Sequence, residues 1–399
     1  MKKITLFLAA LAIIFSANAQ TMKVQSAYAD MKNDRLANAK KNIDAACLNE
    51  NTSKDAKTWS FAGLIYAKLV EISKSDEKLF KKQKITIPVD SLAETAAEAL
   101  VKSMEIEKQE KTTEYTSANT NALNFILGYQ IDIALNTFNS GKYAESIPLF
   151  EKILQRSKIA LNKEVELKSM FCIAMAYDAT KQKDKASELY RELVRKNTKE
   201  EAVYINLFIA NKQAKDTIKA INVLKAGVKN LPKNYTILGL LSGAYMEAGN
   251  KVEADKCIEK LKAMADTITN NKSDVLVIIG DVLRDANNSE EAVKMYNQVL
   301  TINPDDQKAN YSMGVLYFNQ GVDFSDKANS LPVDAFEEYD KINKQSKESL
   351  AAAIPYFEKV LINKPKDIGS LNALKVIFAR LEMTEKYNAI NAVLDTLKK

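Results

Sequence analysis

The segments Ala186-Ser187-Glu188-Leu189-Tyr190, Ala220-Ile221-Asn222-Val223-Leu224 and Ala254-Asp255-Lys256-Cys257-Ile258 begin thirty-four residues apart, and each sets a small residue four positions before a large apolar one. Positions i and i+4 share a helix face, so each segment reads as a helix that offers a neighbour one small and one bulky side chain. Ala292 with Tyr296 and Ala353 with Phe357 repeat the pair after longer spacings. A period of this length holds a second helix and two turns besides the first, so the unit is a helix-turn-helix.

Thirty-four residues is the period of the tetratricopeptide repeat (TPR), and the resemblance is sharpest at Trp59-Ser60-Phe61-Ala62-Gly63-Leu64-Ile65-Tyr66, which is similar to that family's first-helix pattern. Ile279-Gly280 with Leu283 and Met313-Gly314 with Tyr317 resemble the same part. Gly141-Lys142-Tyr143 leading to Phe150, Gly249 leading to Ala254, and Ala292 leading to Tyr296 resemble its second helix, and Pro232, Pro304 and Pro365 stand where the family ends a unit. Small residues suit the close crossing of paired helices, large ones fill the adjoining groove, and proline stops a helix because it lacks an N-H and clashes with the preceding turn. The resemblance implies an all-α fold, an α-α superhelical solenoid of helix-turn-helix units over residues 20–399, in which stacking buries the apolar face that each unit alone leaves bare.

About nine helix pairs are expected, starting near Met22, Asp55, Ser117, Leu167, Glu200, Asn234, Asn271, Asp306 and Asp367. Inserts interrupt the pattern near 70–91, where a charged run and Ile85-Thr86-Ile87-Pro88 predict a short helix and an extended loop, and near 322–349, where Leu331-Pro332 and a charged segment predict a lengthened helical hairpin.

Composition excludes several chemistries. The chain has no His, which removes imidazole-activated nucleophiles and imidazole metal ligands. No constellation of carboxylates, Lys or Tyr demands catalysis, so the expectation is a protein that is not an enzyme and needs no cofactor or metal. Asp281, Arg284 and Asp285 have the spacing of a helix-face ion pair. Six Arg against fifty-one Lys, with the lysines interleaved with Asp and Glu, argue against a nucleic-acid partner. The net charge of +6 becomes +4 without Lys2 and Lys3. Cys47, Cys172 and Cys257 are far apart among apolar neighbours and read as small buried side chains.

Residues 1–19 read as a secretory signal peptide, with Lys2 and Lys3, an apolar run from Ile4 to Phe15 and Ala17-Asn18-Ala19 before a cleavage point at Gln20. Lipid anchoring is disfavoured because Gln20, and not a cysteine, opens the mature chain. No later segment is apolar enough to span a bilayer, so no stable membrane insertion is expected after cleavage. The Lys-rich, Arg-poor chain resembles exported Bacteroidetes proteins, which implies a periplasmic, outer-membrane-associated or secreted location in the cell envelope.

In the TPR family the first helix of each unit lines a concave, partner-binding face. Carried over, the lining is Phe171, Met175 and Asp178; Ile205, Ile209 and Lys212; Gly239, Gly243 and Met246; Val277, Asp281 and Arg284; and Lys308, Tyr311, Val315 and Phe318. Such a groove is mostly apolar and suits a protein or peptide, among them an amphipathic helix laid in the groove. The same residues would also serve a tight superhelix that packs them on its own neighbours. A second functional reading is an assembly subunit of an outer-membrane or secretion complex that uses the projecting hairpin or the convex face.

Overall fold

The structure, a computed structural model, describes residues 21–268 and 270–397. The expected signal peptide lies outside the described residues. The described chain is all-α: nineteen helices and no strand, in the α-α solenoid class. It divides into two compact units, one reaching Thr198 and the other starting at Lys199.

In the first unit α1 (21–32) packs on α2 (Leu36–Cys47), and α3 (Ala56–Ser75) pairs with α5 (Val89–Glu110). Between the latter two lies α4 (Glu77–Lys82), which Asp76 caps by accepting from the Leu79 N-H. The buried Gln83 side chain then ties this insert to the start of α2, accepting from the Ala37 N-H at 3.1 Å and donating to the Asp34 carbonyl at 3.1 Å. The pairs α6 (Thr116–Asn139) with α7 (Tyr143–Ile159), and α8 (Lys163–Ala179) with α9 (Lys183–Arg195), complete the unit.

The second unit has five pairs: α10 (Glu201–Gln213) with α11 (Thr217–Asn230), α12 (Tyr235–Glu247) with α13 (Lys251–Thr267), α14 (Lys272–Asp285) with α15 (Ser289–Ile302), α16 (Gln307–Asn329) with α17 (Phe336–Asn363), and α18 (Ile368–Arg380) with α19 (Thr384–Leu397). Its first helices α10, α12, α14, α16 and α18 also touch in succession and form a wall. The 322–349 segment is not a separate element. It extends α16 and α17 themselves to 23 and 28 residues, against 14 for each of α14 and α15.

The repeat is visible in three layers of the structure, with a step of thirty-four residues up to α13 and a longer one to α15. The second helices bury one face at i, i+4 and i+7: Ala186, Tyr190 and Leu193 on α9, Ala220, Leu224 and Gly227 on α11, and Ala292, Tyr296 and Val299 on α15. The turns inside the pairs take a left-handed residue at matching positions, Lys181, Lys215 and Gly249, with φ of 62°, 58° and 73°. Asp216, Asn250 and Asn288 then cap the following helix by accepting a backbone N-H from three residues on.

Within a pair, a glycine of the first helix receives a large side chain of the second. A Cβ on Gly280 would meet the Tyr296 ring, one on Gly314 the Phe357 ring, and one on Gly63 the Leu100 side chain. Burying a side chain of that size is worth roughly 1.5–3 kcal/mol. The buried tyrosines also keep their hydroxyls satisfied, with Tyr190 donating to Asp178 and Tyr296 to Asp281, both at 2.8 Å. Pro232, Pro304 and Pro365 each stand two residues beyond the end of a second helix, after Asn230, Ile302 and Asn363.

Ala220 is 3% exposed where α11 faces its neighbours, so Ala220→Leu should cost about 1–3 kcal/mol through overpacking. Gly249→Ala, which forces a Cβ into the left-handed region, should cost about 1–2 kcal/mol. Urea unfolding midpoints check both, and an unshifted midpoint for Ala220→Leu would contradict a helix register that turns Ala220 inward.

Candidate functional site

Two cavities open on the wall of first helices in the second unit. The larger, about 510 Å³, has an apolar floor of Val277, Ile278 and Val360, with Tyr235 and Tyr311 beside it and Asp274, Lys308, Lys364 and Asp367 among its polar residues. The other, about 300 Å³, lies between α10, α12 and α14 and is bordered by Phe208, Leu240, Gly243 and Val282 with Lys212, Glu247 and Asp285. Thr236, Ile278 and Asp281 border both, so the two form one groove.

The charged residues of the groove are largely neutralised in place. Lys212 donates to Glu247 at 2.6 Å and Lys308 to Asp274 at 2.9 Å. The hydrogen bond to Asp274 holds the Lys308 ammonium above its ordinary pKa. Arg284 is 18% exposed and bridges Asp281 at 2.8 Å and Asp285 at 2.9 Å, while Asp281 also accepts from Tyr296. Arg284 and Tyr296 both bind the Asp281 Oδ1, which ties α14 to α15. Burial first, and Asp281 second, push the Tyr296 phenol far above its usual range.

Of the residues that the sequence pointed to, Lys212, Gly239, Gly243, Val277, Asp281, Lys308 and Tyr311 border these cavities. Ile205, Ile209, Met246, Arg284, Val315 and Phe318 belong to the same unit and are not among the bordering residues; Val315 and Phe318 pack instead against the cluster around Phe357 and Leu374. Phe171, Met175 and Asp178 lie in the first unit, half-buried on α8. The two glycines differ in use. Gly239 is covered, because a Cβ there would run into Ile278, whereas a Cβ on Gly243 would meet nothing within 4 Å. Sequence reasoning missed Thr236, Leu240 and Ile278. The signal for Ile278 was Gly239 itself, a small residue that admits a large one from the next first helix.

The first unit has its own cavity, about 570 Å³, bordered by Tyr28 and Met31 of α1, Leu64 and Ala67 of α3, and Ala122 and Phe125 of α6. Nothing in the sequence singled it out: α3 carries the sharpest match to the repeat, but α1 and α6, which supply the rest of the border, lack its Trp-Gly-Tyr pattern.

An ionic cluster joins α5, α6 and α7. Both Glu94 oxygens accept from Arg156, each at 2.8 Å, while Lys152 adds a bond at 2.9 Å and Gln130 one at 3.1 Å. The bond from Arg156 leads in holding the Glu94 carboxyl down at about 2, against the burial that opposes it. With every partner engaged, the cluster is structural. Burial first, with Asp44 adding, pushes the Cys47 thiol up to about 12, so it is no nucleophile at neutral pH. Among the described residues no group of three or more His, Cys, Asp or Glu could hold a metal ion, and no helix is long and apolar enough to cross a membrane.

A TPR repeat model matches residues 280–321, from the end of α14 through α15 to the extended part of α16. No curated protein matches the chain. Among solved structures, the human IFIT1 dimer with m7Gppp-AAAA is 15% identical, covering 84% of this chain and 74% of that one at a TM-score of 0.41. A TPR repeats protein from Bacteroides fragilis is 19% identical, covering 67% of this chain and 98% of that one at a TM-score of 0.25. At such scores neither likeness says what this chain binds.

Gly239→Ala should destabilise the chain by about 1–3 kcal/mol as Ile278 is displaced, while Gly243→Ala should stabilise it by up to about 1 kcal/mol; denaturant titration of the two reads the difference. Glu94 titrates near 2 when folded and near its ordinary 4.5 when released, so unfolding takes up a proton between those values. Its contribution is complete above about pH 4.5 and is lost as pH falls towards 2. Acid titration of Glu94→Gln should lack that part of the wild-type stability loss.

Proposed function

We propose that this chain is an exported, non-enzymatic TPR scaffold of the cell envelope, periplasmic or associated with the outer membrane or secreted, that holds a protein or peptide segment in the groove of its second unit. The observation that carries the reading is the shared floor of the two cavities, where Ile278 and its neighbours Val277 and Leu240 offer apolar surface beside charges that already neutralise one another. A surface of this kind selects by shape and apolar contact. It suits an amphipathic helix or an apolar peptide stretch better than a highly charged one. The lysine-bearing start, apolar run and Ala17-Asn18-Ala19 site support export, and Gln20 at the cleavage point speaks against a lipid anchor.

Gly243→Phe fills the groove at a place with open space and so tests binding without disturbing the fold. Tyr311→Glu places a charge in the larger cavity. In cross-linked pull-downs from envelope fractions of the source cell, both variants should lose one recurrent partner that the wild-type chain, Gln20 to Lys399, retains. An unchanged partner set would move binding away from the groove.

A further inference from the structure

The extended hairpin of α16 and α17 ends in a tip whose large apolar residues are exposed among the described residues. At 1.5 Å per residue, the additional residues carry its tip about 15–20 Å past the ends of the neighbouring pair. The extension is well packed below the tip: Ser346 donates to the Gly321 carbonyl at 2.6 Å, a Cβ on Gly321 would meet Leu350, and Ala328 and Ile342 are buried. Above that seal the apolar stripe of α17 runs out into solvent. Ile342 is 5% exposed, Tyr339 39% and Phe336 70%, and Val333 in the turn is 91% exposed. Phe336, Tyr339 and Ile342 are spaced i, i+3 and i+6, one stripe whose inner end is sealed and whose outer end is open.

The charge around this stripe is one-sided. Residues 323–341 hold six carboxylates and two lysines in a chain whose net charge is +6. Asp334, Glu337, Glu338 and Asp340 are exposed, and among the described residues none of them makes an ion pair or a side-chain hydrogen bond. Glu337 and Asp340 lie i, i+3 from each other, and Asp340 lies i+4 from Phe336, so like charges are crowded beside the apolar stripe where they repel. Elsewhere in the unit some carboxylates are paired with nearby lysines, as Glu253 is with Lys256 and Glu291 with Lys294, whereas between Leu331 and Asp340 four carboxylates stand with no lysine among them.

We propose that the hairpin tip is a docking surface for a basic amphipathic helix of another protein, which completes the apolar stripe of Val333, Phe336 and Tyr339 as a third helix and sets its lysines or arginines against Asp334, Glu337 and Asp340. Two tips cannot serve each other, because the same carboxylates would face across the contact. The surface is separate from the groove, and the proposal stands or falls apart from the groove's function.

The test uses the full chain and two synthetic amphipathic helices of equal length with the same leucine stripe, one flanked by lysines and the other by glutamates, followed by fluorescence anisotropy. The lysine helix should bind at least about ten-fold more tightly than the glutamate helix, a difference of about 1.4 kcal/mol, and should weaken as salt is raised. Phe336→Ser with Tyr339→Ser should lower its affinity about ten-fold or more; both residues are exposed, and unchanged circular dichroism and melting would confirm the fold. Glu337→Lys with Asp340→Lys should reverse the preference between the two helices, while Gly243→Phe should leave it intact. Equal affinity for the two helices, or binding that survives the tip variants, would overturn the proposal. Loss of binding in Gly243→Phe alone would place the helix in the groove, and a tip-dependent dimer in sedimentation velocity would make a second copy the occupant; either result also refutes it.

Discussion

The seat of one large side chain against a glycine or alanine of the paired helix is the contact on which the rest of this structure rests. Tyr296 lies over Gly280, Phe357 over Gly314 and Leu100 over Gly63, each where a Cβ would collide. The close approach matters more than the single buried ring, because it sets the distance between the two backbones and so the shape that the next pair must match. In an array that is stabilised chiefly by neighbours, an error in one pair is passed to the interface beside it. The cost of enlarging a seat is therefore a packing cost, one the surface ion pairs, each worth about 0–1 kcal/mol, cannot offset.

Holding the first helices from behind frees their other face. In the second unit that face carries glycine twice in one helix turn, with opposite results. Gly239 lets Ile278 of the next first helix close down on α12, which makes the groove floor continuous, while Gly243 one turn on leaves open space. A groove thus arises from the same small-against-large rule that builds the pairs, applied once between first helices and then left incomplete.

Most of the fold was legible because the pattern that dictates it is local. Ala186, Ala220 and Ala254 fix the face and the period, and left-handed Lys181, Lys215 and Gly249 follow the same step. Proline was legible where it lies between helices, at Pro88, Pro232, Pro304, Pro332 and Pro365. Pro148 and Pro355 lie inside α7 and α17, where the helix continues past them because packing of Phe150 and Phe357 outweighs one lost backbone hydrogen bond. The groove was half legible: Lys212, Gly243 and Tyr311 follow from helix position, but Ile278 is defined by its partner thirty-nine residues earlier. The first unit's cavity depends on α1, α3 and α6, whose spacing the insert around α4 breaks, so no constant step leads to Phe125 from Tyr28.

The second unit presents two surfaces of opposite electrostatic character. In the groove, Lys212 with Glu247, Lys308 with Asp274 and Arg284 with its two aspartates leave little free charge. A ligand there exchanges water for apolar surface, and its affinity should depend weakly on ionic strength. On the hairpin tip the balance is opposite, since unpaired carboxylates surround only three large apolar residues. Those charges are exposed, so they lose little by staying solvated and gain chiefly when a cation of opposite geometry arrives, an attraction that acts over a distance of about 8 Å at physiological salt.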